Sequence, residues 1–295
     1  MFSPEPARGW IPWGALAPFL ALVFVLLPAI GALFAFQPLQ WVDANGDPSG
    51  TDGLAAFLLI PFGVTGLLVL AWVKFVERRP LATIGLTRPG AAGLFLRGHA
   101  IGCAAILFVV LASWMAGGYE AVSYAKGLKS PAALLNIAIL LACFAVQSSV
   151  EELVFRGWQL SAIARKFNVT LAVILTSAVF YLLHFSPGQP WLVTLNLVLF
   201  ALFACAWALR AGNIWGVMGW HAGWNWLLAT GFELPVTGLE TDTPALLAQL
   251  LPIGPDYLTG GAQGPEGSIF CTLFFVVSIA AMLLWRRPFS RVSPA

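Results

Sequence analysis

Charge is what this sequence most lacks. Only 9% of its 295 residues are Asp, Glu, Lys or Arg, against roughly a quarter in soluble domains. With 59% hydrophobic residues and a mean hydropathy of +0.85, too few polar side chains remain to cover a water-facing surface. A net charge of +2 supplies no basic face for nucleic acid. Cysteine is scarce too. Cys103, Cys143, Cys205 and Cys271 each sit in an apolar run and none forms a C-x-x-C pair, which excludes a disulfide framework or a zinc ribbon. They read as small residues of a membrane core. The H-E-x-x-H metal helix is absent. So is any internal repeat, which weakens the case for an inverted-repeat transporter.

What the chain has instead is uncharged runs long enough to cross ~30 Å of hydrocarbon. Eight are expected, at 14–36, 54–73, 98–116, 131–156, 169–185, 191–209, 213–232 and 268–285. The first is longer than a signal-peptide core and no small-residue cleavage site follows it. The predicted fold is therefore all-α, a polytopic bundle of about eight transmembrane helices forming one domain over 1–295. Its chemistry-bearing motifs lie at about 131–232. The two longer outer loops, 37–53 and 233–267, are rich in turn-forming residues. Within the second, "ALLAQLLPI" is apolar but too short to span, so it is expected at the interface or folded back. The inner segment "VERRPLATIGLTRPGAAGLFLRG" reads as a cytoplasmic loop with interfacial anchors.

Charge sets the expected orientation. With both termini cytoplasmic, Arg8, Lys74, Arg78, Arg79, Arg88, Arg97, Arg156, Arg165, Lys166, Arg210, Arg286, Arg287 and Arg291 fall inside, and only Lys126 and Lys129 outside. All 15 basic residues are thereby placed, and the bias is the one that cytoplasmic loops carry. Most carboxylates lie in the outer loops. Trp10, Trp13, Trp41, Trp114, Trp158, Trp191, Trp215 and Trp285 fall near span ends, as an aromatic belt would. If the source is bacterial, the inner membrane is the expected location.

Few strongly polar groups remain at membrane depth, and each is costly unless paired or wetted. They are Glu151, Glu152 and Arg156 in span four, His184 in span five, and His221 and Asn225 in span seven. His99, at the inner mouth of span three, is explained by interfacial solvation. Glu152 and Arg156 share a helix face four residues apart, so an ion pair is expected. Glu151 points about 100° away around the helix and needs another partner. Asn168 reads as the cap between two helices. A hairpin folded about residues 167–168 sets Glu151 level with His184 if both helices are unbroken, with Phe180 on the His184 face as a wall. His221 and Asn225 share a face of span seven, where Gly216, Gly219, Ala222 and Gly223 permit close helix approach.

A carboxylate, two imidazoles and an amide converging in a dry site suit amide hydrolysis. The carboxylate takes a proton from water and returns it to the leaving amine. Amide and imidazole N–H groups stabilise the oxyanion. One Glu and two His (Glu151, His184, His221) would equally make a zinc set. Ser148 and Ser149 are weaker candidates as nucleophiles. A proton-coupled carrier using the same groups, and a silent peptide-binding membrane protein, are the competing readings.

These residues resemble the CPBP family of intramembrane proteases, which includes the CAAX prenyl endopeptidases and bacterial Abi-type proteins. The family pattern E-E-x-x-x-R, F-x-x-x-H and H-x-x-x-N stands here as Glu151 to Arg156, Phe180 to His184 and His221 to Asn225, on three spans. The resemblance implies an eight-helix peptidase acting on a membrane-associated or lipidated peptide or protein, with its site open to the cytoplasmic half of the membrane. It implies Glu151 as general base with His184, His221 and Asn225 as oxyanion site, and Glu152 and Arg156 in support. The family is often called a metalloprotease, although a metal-free glutamate-activated water is also proposed for it. No obligatory cofactor is the preferred expectation, with zinc the alternative.

Overall fold

A computed structural model describes residues 2–13, 16–87 and 89–284. Arg88, Trp285, Arg286, Arg287 and Arg291, used above for orientation, lie outside the described residues, as do the ends of the first and last expected spans. The chain is a helical membrane bundle. Helices run over α1 (Leu16–Phe36), α2 (Gly50–Ala71), α3 (Ala91–Met115), α4 (Pro131–Glu152), α5 (Leu160–Lys166), α6 (Val169–His184), α7 (Trp191–Ala211) and α8 (Trp215–Phe232). A single turn, α9 (Asp256–Thr259), precedes α10 (Ile269–Leu284). Among the described residues five helical stretches are long and apolar enough to cross a bilayer, namely 16–39, 50–76, 91–115, 131–166 and 191–211. The helices 169–184 and 269–284 are apolar but shorter. Helix α8 is diluted by its glycines, histidine and asparagine.

Local chemistry fixes these elements. Ser130 caps α4, accepting from the Ala133 N–H with Pro131 at the first helical position. Asn168 caps α6 by accepting the Leu171 N–H at 2.8 Å. Pro28 inside α1 has no N–H for the Phe24 carbonyl four residues back. The Thr65 hydroxyl of α2 donates to that carbonyl at 2.9 Å instead, joining the two helices where lipid offers no donor. The helix expected to run on beyond Glu152 does so, as one stretch over 131–166. A π-helical stretch, Leu153–Gln159, separates α4 from α5. Every residue from Glu151 to Ile163 is buried, so this segment runs through the bundle interior without a lipid face.

The tightest packing joins α3 to α8. A Cβ on Gly219 would come within 1.9 Å of the Phe95 carbonyl oxygen, and one on Gly223 within 2.2 Å of the His99 carbonyl oxygen. On α3, Gly98 and Gly102 meet the backbone of Gly216 and Trp220 in the same way. Small residues thus let two backbones touch, and this contact sets the depth of His221 and Asn225. We predict that Gly219→Ala lowers stability by about 1–3 kcal/mol or more through overpacking. At Gly63 of α2 an added Cβ meets nothing within 4 Å, so Gly63→Ala is neutral or slightly stabilising. Thermal unfolding in detergent distinguishes the two.

Three expectations change outside the spans. The apolar "ALLAQLLPI", expected at the interface or folded back, contributes a strand, β2 (Ala248–Pro252), antiparallel to β1 (Tyr119–Tyr124). Its burial follows the two-residue alternation of a strand, with Ala248 and Leu250 covered and Leu251 exposed. The inner "VERRP" loop is plugged into the bundle. Glu77 and Arg79 form a fully buried ion pair. Trp72 and Trp158 donate to the Glu77 carboxylate, and Arg79 donates to Ser161. Finally, His99 packs between Phe95 and Trp226 with its Nδ1 unpartnered, so it belongs to the α3–α8 contact and not to a solvated mouth.

The two ends of the bundle differ in character. One gathers residues 2–13, 72–87, 160–168 and 210–214 by bonds such as Arg165 to the Ser3 and Glu5 carbonyls and Ile214 N–H to Gly85. It carries most of the basic residues. The other end holds the acidic loops 37–49 and 233–268 and the two-stranded β1–β2 sheet, tied by Ala125 N–H to Leu247 and Leu246 N–H to Thr230.

Candidate active site

Glu151 and Glu152 end α4, one turn beyond Gln147 and just before the π-helical stretch. Glu152 is fully buried and makes two bonds through one oxygen. Its Oε1 accepts from Arg156 Nη1 at 3.0 Å and lies 2.9 Å from His221 Nδ1. The expected Glu152–Arg156 pair is present, and α8 adds the imidazole to it. A carboxylate on Nδ1 fixes that nitrogen as the donor, which leaves His221 Nε2 facing Glu151 Oε2 at 3.9 Å. The Arg156 guanidinium lies over the faces of Phe180 (4.5 Å) and Phe200 (5.0 Å), and Phe200 also meets the His221 ring edge-on. Phe180 is therefore a wall for both Arg156 and His184.

Glu151 is tied differently. Its Oε1 accepts from Gln147 Nε2 at 2.7 Å. Gln147 Oε1 in turn accepts from Ser148 Oγ and Asn225 Nδ2. Asn225 also reaches Ser148 Oγ at 3.4 Å. Gln147 thus bridges the two helices that carry Glu151 and Asn225, a role the sequence reading missed. Its position four residues before Glu151 was the available signal. The Ser148 hydroxyl is bonded to amides and meets no imidazole, which removes the base a nucleophilic serine needs.

His184 is the last residue of α6. Its ring stacks on Phe180 at 4.3 Å and its Nδ1 bonds the Phe180 carbonyl at 2.9 Å. Glu151 and His184, expected level on neighbouring helices, line the same cavities, and no hydrogen bond or ion pair joins them. The hairpin does place both on one cavity, but the π-helical stretch turns the backbone after Glu152, and the imidazole nearest Glu151 belongs to His221. The cavity, of about 450 Å³, is lined by Gln147, Glu151, His184, His221 and Asn225. A second cavity of about 380 Å³, walled by apolar residues of α1 and α2, also reaches Glu151 and His184.

Asp47, Ser186, Thr237, Gly238, Leu239 and Gln263 line the polar cavity, all at the acidic-loop end, and no residue of the basic end does. Towards the basic end Phe155, Trp158 and Leu160 close the way, each at most 2% exposed. Glu266 organises this end. It accepts from Trp224 Nε1, Thr237 N–H and Thr237 Oγ1, and so folds loop 233–267 over the ends of α7 and α8. No spacing rule pointed to it, because its partners lie 29 and 42 residues away.

The zinc alternative fits this arrangement poorly. Among the described residues no three His, Cys, Asp or Glu side chains gather to hold a metal ion. Glu151 and His221 approach each other, but His184 is held on Phe180. The four cysteines are all free.

Residues 132–227 match the family model described as type II CAAX prenyl endopeptidase Rce1-like, and all three motif parts lie within them. Over these residues the chain is similar to CAAX-type proteases of the CPBP family. No curated protein matches the chain. The matched residues are those that bring α4, α6 and α8 together. Helices α1, α2 and α10, outside the matched residues, add the apolar cavity and part of the aromatic packing behind His221.

Proposed function

We propose that the protein is an intramembrane endopeptidase that cleaves a membrane-associated or lipidated polypeptide with a water activated by Glu151. One observation carries the reading: Glu151, His184, His221 and Asn225, from three separate helices, line one cavity beside a network that anchors them through Gln147 and Glu152. A water in that cavity loses its proton to Glu151, and its oxygen attacks the peptide carbonyl carbon. His184 orients that water from across the cavity. Asn225 Nδ2, and His221 when Nε2 carries a proton, donate to the oxyanion. The C–N bond then breaks and Glu151 returns the proton to the leaving amine. Each oxyanion donor is worth ~3–4 kcal/mol in such sites. No step requires a metal.

The carrier reading is less well supported, because the sequence carries no internal repeat. Comparative peptidomics of cells carrying the wild type and Glu151→Gln checks the proposal. Peptides ending at new, recurrent termini are expected with the wild type alone. Identical peptide sets at equal protein levels overturn it.

A further inference from the structure

Three cavities meet around the imidazoles of His184 and His221, and their walls share an unusual property. The carboxylates Asp47, Glu151 and Glu266 line them, and no lysine or arginine among the described residues does. The nearest cation, Arg156, is fully buried and taken by Glu152 and two phenyl faces. Lys126, at the same end of the bundle, is bonded to Gln249. A substrate carboxylate entering here meets no counter-charge, and an unpaired charge in a poorly hydrated site is costly.

The three carboxylates are not equally available. Glu266 is consumed by Trp224 and Thr237, and Glu151 is held by Gln147 at the reacting position. Asp47 is exposed, and its carboxylate accepts no hydrogen bond from the described residues. Its position is nonetheless fixed. Asp43 Oδ1 accepts the N–H groups of Asn45 and Asp47 at 2.8 and 2.9 Å, and Gly46 takes the left-handed backbone (φ 91°) that closes the turn. Asp47 borders both the polar and the apolar cavity, so a chain reaching Glu151 from either passes it.

Resting on the peptidase reading, we propose that this site selects segments that are neutral or cationic beside the cleaved bond, with Asp47 as the specificity-determining residue. An internal peptide bond flanked by Lys or Arg suits these walls. A bond within a few residues of a free C-terminal carboxylate does not.

The test uses purified full-length protein in detergent and one apolar peptide series carrying Lys, Gln or Glu beside the cleavable bond, with free or amidated C-termini. The wild type is expected to favour Lys over Glu about tenfold in kcat/KM, less at high salt, because a mouth charge acts through partly hydrated space. Asp47→Asn flattens the ranking and Asp47→Lys reverses it, with unchanged melting temperature for this exposed site. Binding of the same fluorescent peptides to Glu151→Gln separates the two proposals. If no peptide is cleaved but binding keeps the charge ranking, the selection stands and the peptidase reading falls. A ranking unaltered by Asp47→Lys, a wild-type preference for Glu, or no binding at all overturns the selection.

Discussion

Glu151→Gln is expected to reduce peptide cleavage by about 10³-fold or more, with little change in folding. A positioned general base contributes typically 10²–10⁴-fold, and here the same carboxylate is asked to take the water proton and return it. The glutamine keeps the shape of the side chain, and its Oε1 can accept from Gln147 Nε2 as the carboxylate does, so the Gln147–Asn225 bridge survives. What is lost is the proton acceptor alone. His184→Ala is expected to abolish detectable cleavage too, since it removes the imidazole that faces Glu151 across the cavity. It also removes a ring stacked on Phe180, so its melting temperature must be measured beside its rate. Cleavage at wild-type rates by well-folded Glu151→Gln would exclude Glu151 as the base.

Much of this site was legible because charge in lipid is rare. Once the loops were set aside, the costly groups left at depth were nearly the set that lines the cavity. The Glu152–Arg156 pair followed from helical spacing, and the Asn168 cap from its side chain. His99 was the exception, hidden because its environment depends on which helix covers it. The π-helical stretch after Glu152 was invisible, since it reflects packing on all sides of 153–159 and no single breaker residue. That one irregularity decided which imidazole lies nearest Glu151. The strand at Ala248–Pro252 was misread because a short apolar run carries no signal for its partner 124–133 residues earlier in the chain. Gln147 was legible and overlooked, being uncharged. Glu266 was not, because a loop carboxylate looks solvated until its indole and hydroxyl donors are known.

Glu152→Leu alone is expected to cost about 3–5 kcal/mol of stability, and so is Arg156→Met alone. Both partners are fully buried, so either change strands a charge without its counter-ion. Arg156 is especially exposed to this loss, because its Nε and Nη2 already have no partner and its remaining contacts are aromatic faces. The double variant Glu152→Leu/Arg156→Met replaces the pair by apolar side chains, and such replacements are often neutral or stabilising. Its melting temperature is therefore expected to return close to the wild type. Its activity is not. Glu152 Oε1 also holds His221 Nδ1 at 2.9 Å, and without it the imidazole loses both its tautomer and its aim at the cavity. Restored stability with cleavage still reduced at least about 10²-fold assigns Glu152 to positioning His221. Recovery of both together would make the pair a purely structural bond, and strictly additive losses of stability would mean that the two charges do not depend on each other.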